Sequence, residues 1–221
     1  MILLLNALTK YLCGVLLLGI LLFVPAGTLL YYHAWLFMGL LFIPMLILGI
    51  VLYLKAPELL QKRLNSKENG NDQKLVVLTA ALLFIAVFVL AGLDFKHGWS
   101  RLPEWLVAAA AVIQLLSYGL YGEVMRENAY LSRTIEVQEG QEVIDTGLYG
   151  IVRHPMYTAT VLLFLSMPLV LGSWISFALM CLYPVVIVFR IRGEEKLLEE
   201  ELKGYDEYKN KVKWRLFPFV W

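Results

Sequence analysis

Long uncharged runs separated by short polar segments set the rhythm of this chain. Leu12 to Tyr32 is interrupted only by small residues and Pro25, Ala34 to Leu54 carries no charge, Leu75 to Leu93 is rich in Val, Leu and Ala, and Trp105 to Gly122 is rich in Ala with one Gln114. A helix needs about 20 apolar residues to cross roughly 30 Å of hydrocarbon, so each run predicts one membrane span. A fifth uncharged stretch, Thr158 to Phe189, is longer than one ordinary span requires. Its middle holds Pro168, Gly172, Ser173 and Trp174, residues that break a helix or sit at an interface. Two short helices in a hairpin are expected there, with one kinked helix as the competing arrangement. The pattern predicts an all-α integral membrane protein with five to six transmembrane helices.

Composition agrees: 60% of the residues are hydrophobic and mean hydropathy is +0.69, far above globular averages. The first positive charge, Lys10, follows the Met1 to Leu8 run and no small-residue cleavage site stands out after the first span, so no cleaved signal is expected. Cys13 and Cys181 both fall inside apolar runs, where a buried structural thiol is the plain expectation.

Charge orients the spans. All Lys and Arg except Lys96 and Arg101 fall at Lys10, between Lys55 and Lys74, between Glu123 and Tyr157, or from Arg190 onward. By the positive-inside tendency these segments share the cytosolic face, with both termini cytosolic. Residues 1–122 then form four nearly motif-free spans, and 123–221 hold a cytosolic segment, a helical hairpin and a cytosolic tail helix. The stretch Asn65 to Gln73, with its Asn69-Gly70 step, suits a plain turn-rich connector.

Patterned polar residues cluster in the second part. In GLYGIVRHPMY, Gly147 allows a tight turn and Pro155 pushes the preceding residue out of helical geometry, which presents Arg153 and His154 at a helix entrance beside Met156 and Tyr157. An interfacial anchor, with Arg reaching phosphates and Tyr in the aromatic belt, would also produce these features. In FRIRGEEKLL, Arg190 and Glu194 share one helix face just past the apolar run. A surface ion pair is the bland alternative. The run Glu199 to Glu201 fits a solvated helix face.

Other chemistries lack their motifs. His33, His97 and His154 lie in three different segments, so no local metal site is expected. GxSxG, GxxxxGK and strand-associated GxGxxG patterns are absent, which sets aside serine hydrolase, P-loop and Rossmann chemistry. No basic stripe interleaved with aromatics outside the tail points to nucleic acid. No carboxylate or lysine is expected inside the spans, which disfavours an ion-coupled transporter.

Taken together, QEVIDTGLYGIVRHPMY, an apolar hairpin with LGSW, and RIRGEEKLLEEELKGYDEYKNKV ending RLFPF resemble the isoprenylcysteine carboxyl methyltransferase family and its relatives, a wider group that includes phospholipid N-methyltransferases. The likeness runs from Asn128 to Phe219. It implies an S-adenosylmethionine-dependent methyltransferase with a C-terminal, cytosol-facing catalytic subdomain, acting on a lipid or on a lipidated small molecule or protein. Carried over by position, it implies cofactor contacts from Gln141, Glu142, Val143, Ile144, Tyr149, His154, Pro155, Met156, Tyr157 and Glu194. Arg190 is implied as the substrate-linked arginine. Gln141 stands where the isoprenylcysteine enzymes commonly have His, and Leu202-Lys203-Gly204 replaces their usual Phe-Gly. Both departures bear on the substrate more than on the cofactor.

The chemistry is consistent with that resemblance. A cofactor carrying a sulfonium, an ammonium and an adenine wants a carboxylate such as Glu194 and aromatic walls such as Tyr149 and Tyr157. Arg190 at headgroup level suits a carboxylate or phosphate. A carboxylate nucleophile needs no base, whereas an amine does, with His154, Glu123 or Glu195 as candidates; Arg190, His154 and Glu195 form the expected catalytic set. A membrane NADPH-dependent reductase of a sterol-like or other lipid is the alternative, for which Arg126 and Arg133 are the spare basic residues for a 2'-phosphate.

Overall fold

A computed structural model of the chain describes residues 2–64, 71–132 and 135–221. Helices are the regular elements among them: α1 (Ile2–Ala26), α2 (Tyr32–Lys55), α3 (Pro57–Leu64), α4 (Asn71–His97), α5 (Glu104–Glu127), a 3-10 turn (Gly147–Gly150), α6 (Pro155–Val170), α7 (Trp174–Met180), α8 (Tyr183–Glu201) and α9 (Tyr205–Lys211). Five stretches are long and apolar enough to cross a membrane: Leu3–Ala26, Tyr32–Lys55, Gln73–His97, Glu104–Glu127 and Trp174–Glu201. Helix α6, Pro155–Val170, is apolar but shorter than these five. This is an all-α integral membrane protein. The expected connector at Asn69-Gly70 lies outside the described residues.

The hairpin is present. After α6, Gly172 takes a positive φ of 77°, and the Ser173 hydroxyl caps α7 by accepting from the Ser176 amide at 3.1 Å. Its second arm is broken between α7 and α8 just before Pro184, whose missing N–H leaves a place to bend.

Several boundaries differ from the sequence expectation. The first helix begins at Ile2 rather than Leu12 and ends at Ala26, where Gly27 turns to a φ of 70°. Lys10 sits within it because its long stem carries the ammonium to the Leu64 carbonyl, 2.6 Å away. The basic Lys55 to Lys74 segment contains an amphipathic helix, α3, seated by buried Leu59 and Leu60 against Leu52 and Met125. Asp94, just past the expected run Leu75 to Leu93, lies in the last turns of α4 and is 2% exposed, so one carboxylate does fall inside a span. Cys13 and Cys181 are exposed rather than buried, since an apolar side chain facing lipid needs no core.

A core of Leu22, Phe37, Val87, Ala91, Met167 and Ile187 joins α1, α2, α4, α6 and α8. At Gly92 a Cβ would meet the Leu22 carbonyl oxygen at 2.6 Å, so α4 and α1 approach backbone to backbone only because no side chain stands there. α5 packs most extensively on α6, which ties the bundle together across the expected boundary near residue 122. Lys10 to Leu64, Lys62 to Gln138 and Arg190 to Gln73 contacts gather the basic segments at one end.

Candidate active site

The polar cluster is assembled around the 3-10 turn. Gly147 has a φ of 56°, and a Cβ there would overlap the Glu127 carboxylate, which accepts from the Leu148 amide at 2.9 Å. This fixes Tyr149 inward. Its hydroxyl accepts from Asn128 Nδ2 at 3.0 Å, and its carbonyl accepts from the Tyr208 hydroxyl at 2.8 Å. Burial pushes the Tyr149 phenol up in pKa, so it stays neutral.

The C-terminal segment folds back over this turn. The amides of Arg153 and His154 donate to the carbonyls of Trp214 and Arg215 at 2.8 and 2.9 Å. Arg153, 6% exposed, gives Nη1 to the Val212 and Lys213 carbonyls and Nε to Glu195 Oε1 at 2.8 Å. His154 Nε2 meets the same oxygen at 3.2 Å, and Arg215 Nε donates to the other at 2.7 Å. Glu195 is thus surrounded by three cationic or potentially cationic groups, and its exposure is 4%.

Glu194 turns elsewhere. The helix sends consecutive side chains in different directions, and Glu194 accepts from the Tyr157 hydroxyl at 2.6 Å on the wall of a cavity of about 630 Å³. That volume lies within the roughly 300–1,000 Å³ range of ligand pockets. Gln141, Glu142, Val143, Ile144, Tyr149, His154, Met156, Tyr157, Arg190 and Glu194 all line it; Pro155 and Glu195 do not. The opposite wall is apolar, with Leu41 and Met45 of α2, Val77 and Phe84 of α4, and Phe164 and Val186 of α6 and α8. Arg190, 8% exposed, donates to Gln73 Oε1 at 3.0 Å where the two walls meet.

Other expected residues lie apart. Glu123 is paired with exposed Arg126 at 2.5 Å, and neither lines the cavity. Arg133 lies outside the described residues. His97 stacks on Trp99, and His33 lies within 4.0 Å of Glu104, both remote from His154. Among the described residues no group of three or more His, Cys, Asp or Glu is placed to hold a metal.

Several cavity residues carried no expected role from the sequence, among them Arg63, Tyr121, Tyr130 and Tyr205. Tyr205 left a trace only as part of the YDEY step, with Tyr208, inside the string RIRGEEKLLEEELKGYDEYKNKV. Its hydroxyl is buried without a hydrogen-bond partner, and burial, followed by the nearby Glu195 and Glu194 charges, pushes its pKa up. A neutral, unpartnered phenol beside a carboxylate and the 141–144 backbone fits a ligand that is both cationic and rich in acceptors.

Comparison with known proteins gives relatives on two sides. The chain is 26% identical over 164 residues to "Uncharacterized protein YpbQ" of Bacillus subtilis (strain 168), covering 70% of this chain and 96% of that protein. It is 28% identical over 91 residues to "Delta(14)-sterol reductase TM7SF2" of Mus musculus, covering 40% of this chain and 22% of the reductase. With the Delta(14)-sterol reductase of Methylotuvimicrobium alcaliphilum it shares 21% identity over 140 residues, covering 57% of this chain and 33% of that protein. The segment that supplies α5, the 3-10 turn, the hairpin and Glu194, residues 105–203, matches the family model of the phospholipid methyltransferases.

Proposed function

We propose that this protein is an S-adenosylmethionine-dependent methyltransferase that takes a lipid or lipidated substrate from the bilayer. The observation that carries this reading is a single cavity with a polar wall of Gln141–Ile144, Tyr149 and Glu194 and an apolar wall between α2, α4, α6 and α8. The match over residues 105–203 supports the same class.

When bound, the cofactor supplies an electrophilic methyl group. The Glu194 carboxylate would hold its cationic amino-acid end, the 141–144 backbone and Tyr149 would flank its nucleoside, and the Tyr205 hydroxyl would find an acceptor. Arg190 would hold the substrate headgroup where the polar and apolar walls meet, so that a tail lies against Phe84, Phe164 and Val186. Methyl transfer gains mainly from alignment and exclusion of water, to which the apolar wall and a bound lipid tail would contribute. Glu195 acts here as a positioning residue: it fixes Arg153 and His154, and through them the turn bearing Tyr149. His154, on the cavity wall, is the base for any nucleophile that must lose a proton. The basic end of the bundle, and both termini, face the cytosol on this reading. An isoprenylcysteine-like carboxylate is one substrate the site would suit.

The sterol reductase relatives support a second reading, NADPH-dependent reduction of a lipid. Calorimetric titration of the detergent-purified protein with S-adenosylmethionine, S-adenosylhomocysteine and NADPH separates the two. Saturable binding of the first two, weakened in Glu194→Ala, is expected; binding of NADPH alone would overturn the methyltransferase reading.

A further inference from the structure

Arg63 stands in the last turn of α3, a helix outside the 105–203 segment. Its charge fits the positive-inside pattern, but that pattern asks only for a position near the membrane surface. The side chain instead runs inward. Nη1 donates to the Ser132 carbonyl at 2.9 Å, Nη2 donates to the Tyr121 hydroxyl, and the guanidinium lies 5.5 Å from the centre of the Tyr121 ring. Arg63, Tyr121, Asn128, Tyr130 and Ser132 all line the cavity.

The partners of Arg63 are neutral, a carbonyl and a phenol. Guanidinium carries five N–H donors, so this one keeps donors beyond those two contacts. The other cavity arginines are engaged differently: Arg153 is committed to Glu195 and two carbonyls, and Arg190 bonds Gln73. No carboxylate lies within ion-pair distance of Arg63 among the described residues. Lys62 alongside donates to Gln138 Oε1 at 2.6 Å, which ties the end of α3 to the segment after α5. Glu136, Glu142 and Glu194 also line the cavity, but none is within ion-pair distance of this half-buried guanidinium, which is packed on a ring and has donors to spare for an anionic group of the ligand.

We infer that Arg63 is an anion-recognition element of this cavity, which holds a phosphate or carboxylate group of the bound ligand from the α3 side while Arg190 stands on the α8 side. The inference rests on the cavity being the ligand site proposed above, and it names the class of ligand: one with an anionic oxygen group, carried by a lipid headgroup or by the amino-acid end of the cofactor.

The test uses the full-length protein with Arg63→Gln and Arg63→Lys. Lipid probes are dioleoylphosphatidic acid and dioleoylglycerol in neutral nanodiscs; cofactor probes are S-adenosylhomocysteine and its decarboxylated analogue. If the anion belongs to the lipid, the wild-type preference for phosphatidic acid over diacylglycerol falls about tenfold in Arg63→Gln, with S-adenosylhomocysteine affinity unchanged. If it belongs to the cofactor, S-adenosylhomocysteine affinity falls about tenfold and the decarboxylated analogue is unaffected. In either case Arg63→Lys retains part of the discrimination because it keeps the charge. Equal losses for charged and neutral probes, or no loss for any of them, would refute the inference. A wild type that binds NADPH and not S-adenosylhomocysteine would refute the methyltransferase reading instead; Arg63 would then be expected to set NADPH over NADH, and an unchanged ratio in Arg63→Gln would refute it there.

Discussion

The two ends of the bundle both hold a carboxylate among hydroxyls, and they are built to opposite purposes. At one end Asp94 accepts from the Ser100 amide at 2.7 Å, from the Ser100 hydroxyl at 2.6 Å and from the Ser173 hydroxyl. Tyr31 reaches the Leu171 carbonyl beside it, and the Trp174 amide donates to Ser100. Those contacts tie the end of α4 to the loop before α5 and to the hairpin turn. At the other end Glu194 meets the Tyr157 hydroxyl on a cavity wall, with the Tyr205 hydroxyl buried nearby and unpartnered. A carboxylate saturated by its own chain is a fastener, whereas one facing a cavity beside an unmatched donor is equipped for a ligand. Glu194 and Glu195 repeat the lesson one residue apart, because the helix turns the first to the cavity and the second into the Arg153 clamp.

This contrast is open to test, and the largest effect is expected at the clamp. Glu195→Ala leaves Arg153 buried without its counter-charge, at a cost of about 3–5 kcal/mol. Thermal unfolding in detergent should show it, and a variant that melts like wild type would remove the structural role. Next comes Glu194→Ala, predicted to weaken S-adenosylhomocysteine binding about 10- to 100-fold, the worth of a charged hydrogen bond, while the unliganded melting temperature changes little. A fall in stability with intact affinity would invert the assignment of the two ends.

For Asp94→Ala the reverse is expected: a loss of about 1–3 kcal/mol of stability from the unmatched serine donors, with cofactor affinity unaltered. Differential melting with and without S-adenosylhomocysteine measures both quantities in one experiment. The smallest effect should come from Tyr205→Phe. Removing a hydroxyl that has no partner in the unliganded protein should leave stability equal or slightly higher, whereas ligand affinity should fall by about 0.5–1.5 kcal/mol. Unchanged affinity would mean that this hydroxyl does not meet the ligand.

The apolar runs alone predicted the spans, because each segment of that length and composition can satisfy its backbone in hydrocarbon only as a helix. The hairpin was legible from Gly172 and Ser173, whose backbone and capping chemistry are local. Nine of the ten residues carried over as cofactor contacts line one cavity, since they sit in two compact motifs whose spacing is a property of the chain. Pro155 is the exception, and serves to start α6.

Only the tertiary structure decided which way neighbouring residues face and what fills the far walls. The chain presents Glu194 and Glu195 as an equivalent pair; the return of residues 212–215 over Arg153 is what separates them. Arg63 reads in sequence as one more cytosolic charge, and the packing of α3 turns it into the cavity. Asp94 likewise became a buried fastener only when the hairpin turn met the end of α4. Hydrophobic period and local turn chemistry act between residues close in the chain, whereas a pocket is defined by side chains from segments far apart, whose meeting no local pattern encodes.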